Sequence, residues 1–124
     1  MLFRRRPRDL WHRGEDAVAR YLRARGYRIL GRNVKLSRYE VDIIARKRDI
    51  TAFVEVKTRR ENPLAPPEEN VTTTKQNHLR RAAHVYIQRE DNPTMYYRFD
   101  VAAVTVPEHG KPDITYFENA FPDQ

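Results

Sequence analysis

The sequence predicts an α/β domain in which a mixed β-sheet is flanked by helices, in the order α-β-β-β-α-β. Three observations predict it. Residues 9–25 and 73–89 carry apolar side chains at helical spacing. Residues 27–36, 41–45, 51–56 and 95–106 are rich in β-branched and aromatic residues and read as strands. At 124 residues, the chain has room for one core and not for two. We read residues 1–124 as one domain with its core at about 9–118, preceded by a flexible basic segment over residues 1–8.

The first helix, residues 9–25, places Leu10, Trp11, Gly14, Ala17, Val18, Tyr21 and Leu22 on one stripe. Gly26 follows as the expected stop, because a helix commonly ends on a left-handed residue. Glu15 lies at the edge of the stripe and therefore needs a partner. Either Arg25 or another neighbour pairs with it on the surface, or it points into a site built by the strands that follow. Residues 27–36 form the first strand, with Gly31 as a candidate bulge. Residues 37–39 are the bend into the next strand.

Residues 40–57 read as a hairpin of two strands joined through polar 46–49. A turn centred between Arg48 and Asp49 sets Ala45 against residues 51–52, Asp42 against Glu55 and Glu40 against Lys57. Directly opposite residues share a face with Cβ atoms roughly 4.5–5.5 Å apart, and like charges so placed repel. Asp42 and Glu55 thus concentrate negative charge where a cation with a preference for oxygen ligands would offset it. A one-residue slip would send Asp42 to the other face, and Glu55-x-Lys57 alone also suits an exposed salt-bridged strand. Phe53 shares the Glu55 face and makes it partly apolar, whereas Val54 and Val56 face the other way.

Residues 58–70 contain Pro63, Pro66 and Pro67 with Glu61, Glu68 and Glu69. No regular element fits them, and a loop of this length either grips a substrate beside Lys57 or is a surface excursion. The second helix, residues 73–89, opens on Thr73-x-x-Gln76, the spacing of a capping box. Leu79, Ala82, Ala83, Tyr86 and Ile87 form its apolar stripe. Lys75 sits on the same face at the helix start, where a cation opposes the macrodipole. It either reaches solvent or marks the seat of an anion. Arg80, Arg81 and Arg89 fall on or beside the outer face. Residues 90–93, ending in Pro93, break the helix. Residues 95–106 form a long central strand whose Asp100 is expected in an ion pair with Arg98 or Arg32. Residues 114–118 form a short edge strand. His12, His78, His84 and His109 lack metal-ligand spacing.

A net charge of +7 and a pI near 10 point toward a polyanion such as nucleic acid. With no cysteine, thiolate metal sites, disulfides and a cysteine nucleophile are excluded. No apolar run follows the basic start and none approaches the length of a membrane span, so a cytosolic protein without membrane contact is expected.

Gly14-Glu15, Gly26-Tyr27, Arg32-Asn33, Glu40-Val41-Asp42, the run Phe53-Val54-Glu55-Val56-Lys57-Thr58-Arg59, Lys75 with Ala82-Ala83, and Arg98-Phe99-Asp100 occur in this order over about residues 12–105. Together they resemble the PD-(D/E)xK nuclease superfamily, and within it the small bacterial YraN-like proteins, which are similar to archaeal Holliday-junction resolvases. One position departs from the pattern: Tyr39 stands where a glycine is usual. The resemblance implies a restriction-endonuclease-like fold. It also implies that Asp42 and Glu55 hold Mg²⁺ or Mn²⁺, with the Val56 carbonyl as a further ligand. Lys57 would orient the attacking water, and Glu15 would complete the site. Lys75, Arg59 and Arg60 would contact backbone phosphates. The partner would be DNA rather than RNA, and a two-fold homodimer would suit cleavage of two strands. The expected function is a metal-dependent endonuclease acting on DNA, with branched DNA as a candidate substrate. A nucleic-acid-binding module of the same fold without turnover, or a protein-interaction domain, are the alternatives.

Overall fold

A computed structural model of the chain describes residues 9–62, 64, 70–90 and 96–123. Its elements are α1 (Asp9–Ala24), β1 (Arg28–Leu36), β2 (Tyr39–Lys47), β3 (Ile50–Arg60), α2 (Thr73–Arg89), β4 (Tyr96–Val106) and β5 (Asp113–Phe121). The strands form a single sheet in the order β1-β2-β3-β4-β5. All neighbours are antiparallel except β3 and β4, which run parallel. That pair is joined through α2, as parallel strands require a long crossover. The predicted order and the mixed sheet hold. The expected flexible segment at residues 1–8, and residues 63 and 65–69 of the Pro-rich loop, lie outside the described residues.

Alternation along the central strands assigns one face to each helix. Ala52 and Val54 of β3 join Ile43 and Ala45 of β2, Val104 of β4, and Val18 and Leu22 of α1. Phe53 points the other way, with Ile44, Phe99, Val101 and Phe121 against Leu79, Ala82 and Ala83 of α2. Each face is thus covered by one helix, so the interior strands read as nearly continuous apolar runs.

α1 stops as expected. Gly26 has φ +90°. Its N–H donates to the Arg23 carbonyl and the Tyr27 N–H to the Leu22 carbonyl, both at 3.0 Å. This is the paired closure of a left-handed helix end. Gly14 is required for a different reason. A Cβ there would lie 2.0 Å from Thr58 Oγ1, so the helix could not approach β3 as closely with alanine. Trp11 departs from expectation. It lies on the line of Val18 and Leu22 around the helix, yet it is 59% exposed. Leu10, one residue earlier, packs against the core instead.

Three boundaries also shift. β3 continues through Arg60 instead of ending before Thr58. The α2 cap is Thr72, whose hydroxyl accepts from Lys75 N–H at 3.2 Å, and not Thr73. β5 runs on to Phe121, because Asn119 takes φ +54° and forms a bulge opposite the Phe99–Val101 step. The bulge turns Phe121 inward, where its ring stacks on Phe99 at 5.1 Å.

Candidate active site

The β2–β3 turn is the two-residue Arg48-Asp49, with Arg48 at φ +56°. It pairs Lys47 with Ile50 and Ala45 with Ala52, as the expected centre demands. The ladder stops at Ile43–Val54. One step further, in the same register, come Asp42 and Glu55. Here the Asp42 side chain replaces a β2 carbonyl: the Val56 N–H donates to Asp42 Oδ2 at 2.8 Å. The strands are thus joined through a carboxylate where their backbones cease to pair.

Glu55 is buried, at 7% exposure. Its Oε1 accepts from Lys75 Nζ at 2.7 Å. The lysine at the start of α2 therefore does face an anion, and that anion is the carboxylate of Glu55. The pair holds the Lys75 ammonium above its ordinary pKa, chiefly through this hydrogen bond. Among the described residues, Asp42 forms no ion pair. Burial first, and the charge of Glu55 second, push its carboxyl up to about 7, against the lowering effect of the Val56 N–H.

Glu15 stands beside this pair and is held by β1. Asn33 Nδ2 donates to Glu15 Oε1 at 2.8 Å, and Arg32 Nη2 lies at 3.7 Å while bonding Asp16 at 2.7 Å. Its charge contributes to the raised pKa of Asp42. Asn33 can present its amide this way because it adopts φ +50°, a conformation asparagine tolerates. Lys57 follows Glu55 on the same side of β3, and its Nζ donates to the Asn70 carbonyl at 2.5 Å. Arg59 and Arg60 lie further along β3. Arg59 donates to Thr105 Oγ1 at 3.3 Å, and Arg60 lines a separate hollow with Glu61, Val106 and Glu108. Among the sequence-predicted residues, Asp42, Glu55, Glu15 and Lys75 are brought together.

Beside the carboxylates opens a cleft of about 490 Å³ lined by Arg38, Tyr39, Glu40, Glu55, Lys75, His78, Leu79 and Arg81. The turn from β1 to β2 places its left-handed residue at Ser37 (φ +60°). Tyr39 itself pairs regularly with Leu36, so the tyrosine at the usual glycine position imposes no special backbone. Arg81, expected near the outer face of α2, reaches into this cleft instead. Arg38, Tyr39 and Arg81 escape sequence reasoning because a turn, a strand start and a helix flank converge only in three dimensions.

Hard oxygen donors on facing strands, flanked by lysines, on a basic α/β scaffold define a small single-domain protein of the mixed-sheet class. Residues 14–104 match the model of the uncharacterised protein family UPF0102. The chain belongs to this family, the YraN-like group that its sequence resembles. A UPF0102 protein of Caldicellulosiruptor saccharolyticus is 42% identical over 92% of this chain and 98% of its own length. Relatives from Syntrophomonas wolfei (41%; 94% and 98%) and Dictyoglomus turgidum (40%; 87% and 92%) are similar over comparable spans. Among the described residues, no helix is long and apolar enough to cross a membrane.

Proposed function

We propose that this protein is a metal-dependent endonuclease that hydrolyses phosphodiester bonds of DNA, with branched DNA as the favoured substrate, and that it acts in the cytosol. The observation that carries the reading is the Asp42–Glu55 pair. Two carboxylates set side by side, one of them without an ion pair among the described residues, are unfavourable unless a further positive charge joins them.

The residues fit Mg²⁺ or Mn²⁺ in one specific sense. Among the described residues no group of three or more His, Cys, Asp or Glu forms a ligand cage. Mg²⁺, however, usually takes one or two carboxylates and keeps several waters. Asp42 and Glu55 would be those carboxylates, with the Val56 carbonyl as a further ligand. When bound, the ion supplies Lewis-acid activation of water and of the phosphoryl oxygen. The chain supplies the rest. Lys57, two residues past Glu55 on the same face of β3, would orient the attacking water and offset the charge of the phosphorane-like transition state. Glu15, fixed by Asn33, would take up a metal-bound water or a second ion. Lys75, Arg59 and Arg60 would neutralise phosphates of the bound strand. Cutting both strands of a branch would call for two copies about a two-fold axis.

A second reading rests on the Lys75–Glu55 bridge. It satisfies Glu55 from within the chain and ties α2 to β3, which suits a binding module that does not turn over. Cleavage of labelled linear, nicked, flapped and four-way DNA in Mn²⁺ and Mg²⁺ separates the two. We expect metal-dependent cutting that falls on the order of a hundredfold or more in Asp42→Ala and in Lys57→Ala. Binding without cutting in all three proteins would favour the module.

A further inference from the structure

We propose that Arg38, Tyr39, His78 and Arg81 form a subsite for an unpaired nucleotide, with its phosphate held by the two guanidiniums and its base stacked on the Tyr39–His78 rings. The inference deepens the nuclease reading and rests on it for the location of the reacting bond.

Two arginines converge on one atom. Arg81 Nη1 donates to Tyr39 Oη at 3.0 Å and Arg38 Nε to the same oxygen at 3.3 Å. Two guanidiniums drawn to one neutral phenol repel each other, and among the described residues neither forms an ion pair with a carboxylate. The concentration of positive charge is felt by the phenol, whose pKa the two arginines lower. A phosphate diester is the anion that a pair of forked guanidiniums matches in geometry and charge.

The second observation is aromatic. The Tyr39 and His78 rings lie 5.1 Å apart at 40°, on the wall of the open cleft. His78 and Arg81 stand three residues apart and so share one face of α2. Ring and guanidinium are therefore presented together, as single-strand binders present them. A paired base buries its faces in the duplex stack and cannot use such a platform, whereas an unpaired nucleotide at a flap or branch can. The position of the cleft completes the argument. Glu55 of the carboxylate pair forms part of its lining, so a strand seated on Tyr39 passes the candidate active site. Glu40 and Glu55 are the acids in the lining. Lys75 takes up Glu55, and the phosphate seat lies at the Arg38–Arg81 end.

Fluorescence anisotropy with a short labelled oligothymidylate and a matched duplex, in EDTA, tests the subsite without any cleavage. Tyr39→Ala is expected to weaken single-strand binding roughly ten- to hundredfold and to leave duplex binding little changed. Tyr39→Phe, which keeps the ring, should retain most of the affinity. Arg81→Gln should reduce the slope of log affinity against log salt by about 0.7, the loss of one single-strand phosphate contact. Wild-type affinity for oligothymidylate in Tyr39→Ala, equal losses in Tyr39→Ala and Tyr39→Phe, or no single-strand binding by the wild type would each overturn the subsite. An inactive protein with the expected binding pattern would sink the nuclease reading and leave the subsite standing. Metal-dependent cutting by a protein whose Tyr39→Ala variant binds oligothymidylate as the wild type does would do the reverse.

Discussion

Asp100→Ala is expected to destabilise the domain by about 3–5 kcal/mol. Asp100 is fully buried on β4, and every contact of its carboxylate comes from within the fold. Arg98 Nε reaches both of its oxygens, at 3.0 and 3.1 Å. The Tyr116 hydroxyl donates to it at 2.6 Å, and the Asn119 N–H at the β5 bulge donates at 2.8 Å. Arg98 continues outward to Tyr27 Oη and to Glu118 at 2.7 Å. Truncation would strand a phenol and a backbone N–H and leave the Arg98 Nε without its acceptor. Because small domains are stable by only about 5–15 kcal/mol, the variant should melt far below the wild type or fail to fold. Asp100→Asn keeps an acceptor for Tyr116 or Asn119 while losing the charge, and should fall between the two. Chemical denaturation of the three proteins checks the order. An Asp100→Ala protein within 1 kcal/mol of wild type would mean that the network does not hold β5 to the sheet.

Asp42→Asn has the opposite expected sign at neutral and alkaline pH. The folded-state pKa of Asp42 is raised to about 7 from the ordinary 3.8. The folded protein therefore binds more protons than the unfolded chain between those values, and stability falls as pH rises from about 4 to about 7. Above that window the ionised carboxylate is a standing cost. Asparagine removes the charge and keeps an oxygen for the Val56 N–H. At pH 8 the variant should be more stable by roughly 2 kcal/mol, less than the full shift implies because the group is only half-buried. At pH 4 the difference should vanish. Thermal melts of both proteins across this range are the measurement. A variant that gains nothing at pH 8 would show that the ionised carboxylate costs the fold nothing there.

What the sequence shows about this protein is uneven for physical reasons. Strong periodicities survive without tertiary context. The helical stripe of α1, the Gly26 stop and the apolar hairpin strands could be read directly, and the hairpin register followed from a turn centred between Arg48 and Asp49. That Asp100 would be ion-paired was legible because a lone acid in an apolar strand demands a partner, while the choice of Arg98 over Arg32 came only with the fold. The end of β5 was not, since the Asn119 bulge breaks the alternation that marks a strand. Trp11 misled for the converse reason: its helical angle matches Val18 and Leu22, yet Leu10 takes the core contact at that end of the helix and Trp11 stays exposed. At the candidate site, Asp42 opposite Glu55 followed from register alone, whereas the Glu55–Lys75 bridge and the grip of Asn33 on Glu15 depend on how helices dock. The Arg38–Tyr39–Arg81 cluster left no pattern in the chain at all.

Mn²⁺ titrated calorimetrically into the wild type, Asp42→Asn and Glu55→Gln at pH 8 tests the central claim most directly. The wild type should bind, and each variant should bind at least about tenfold more weakly, the loss expected when one carboxylate leaves a site of one or two. In the wild type the affinity should also fall below pH 7, as protons compete for Asp42. Equal affinity in all three proteins would contradict the account and detach the carboxylate pair from metal chemistry.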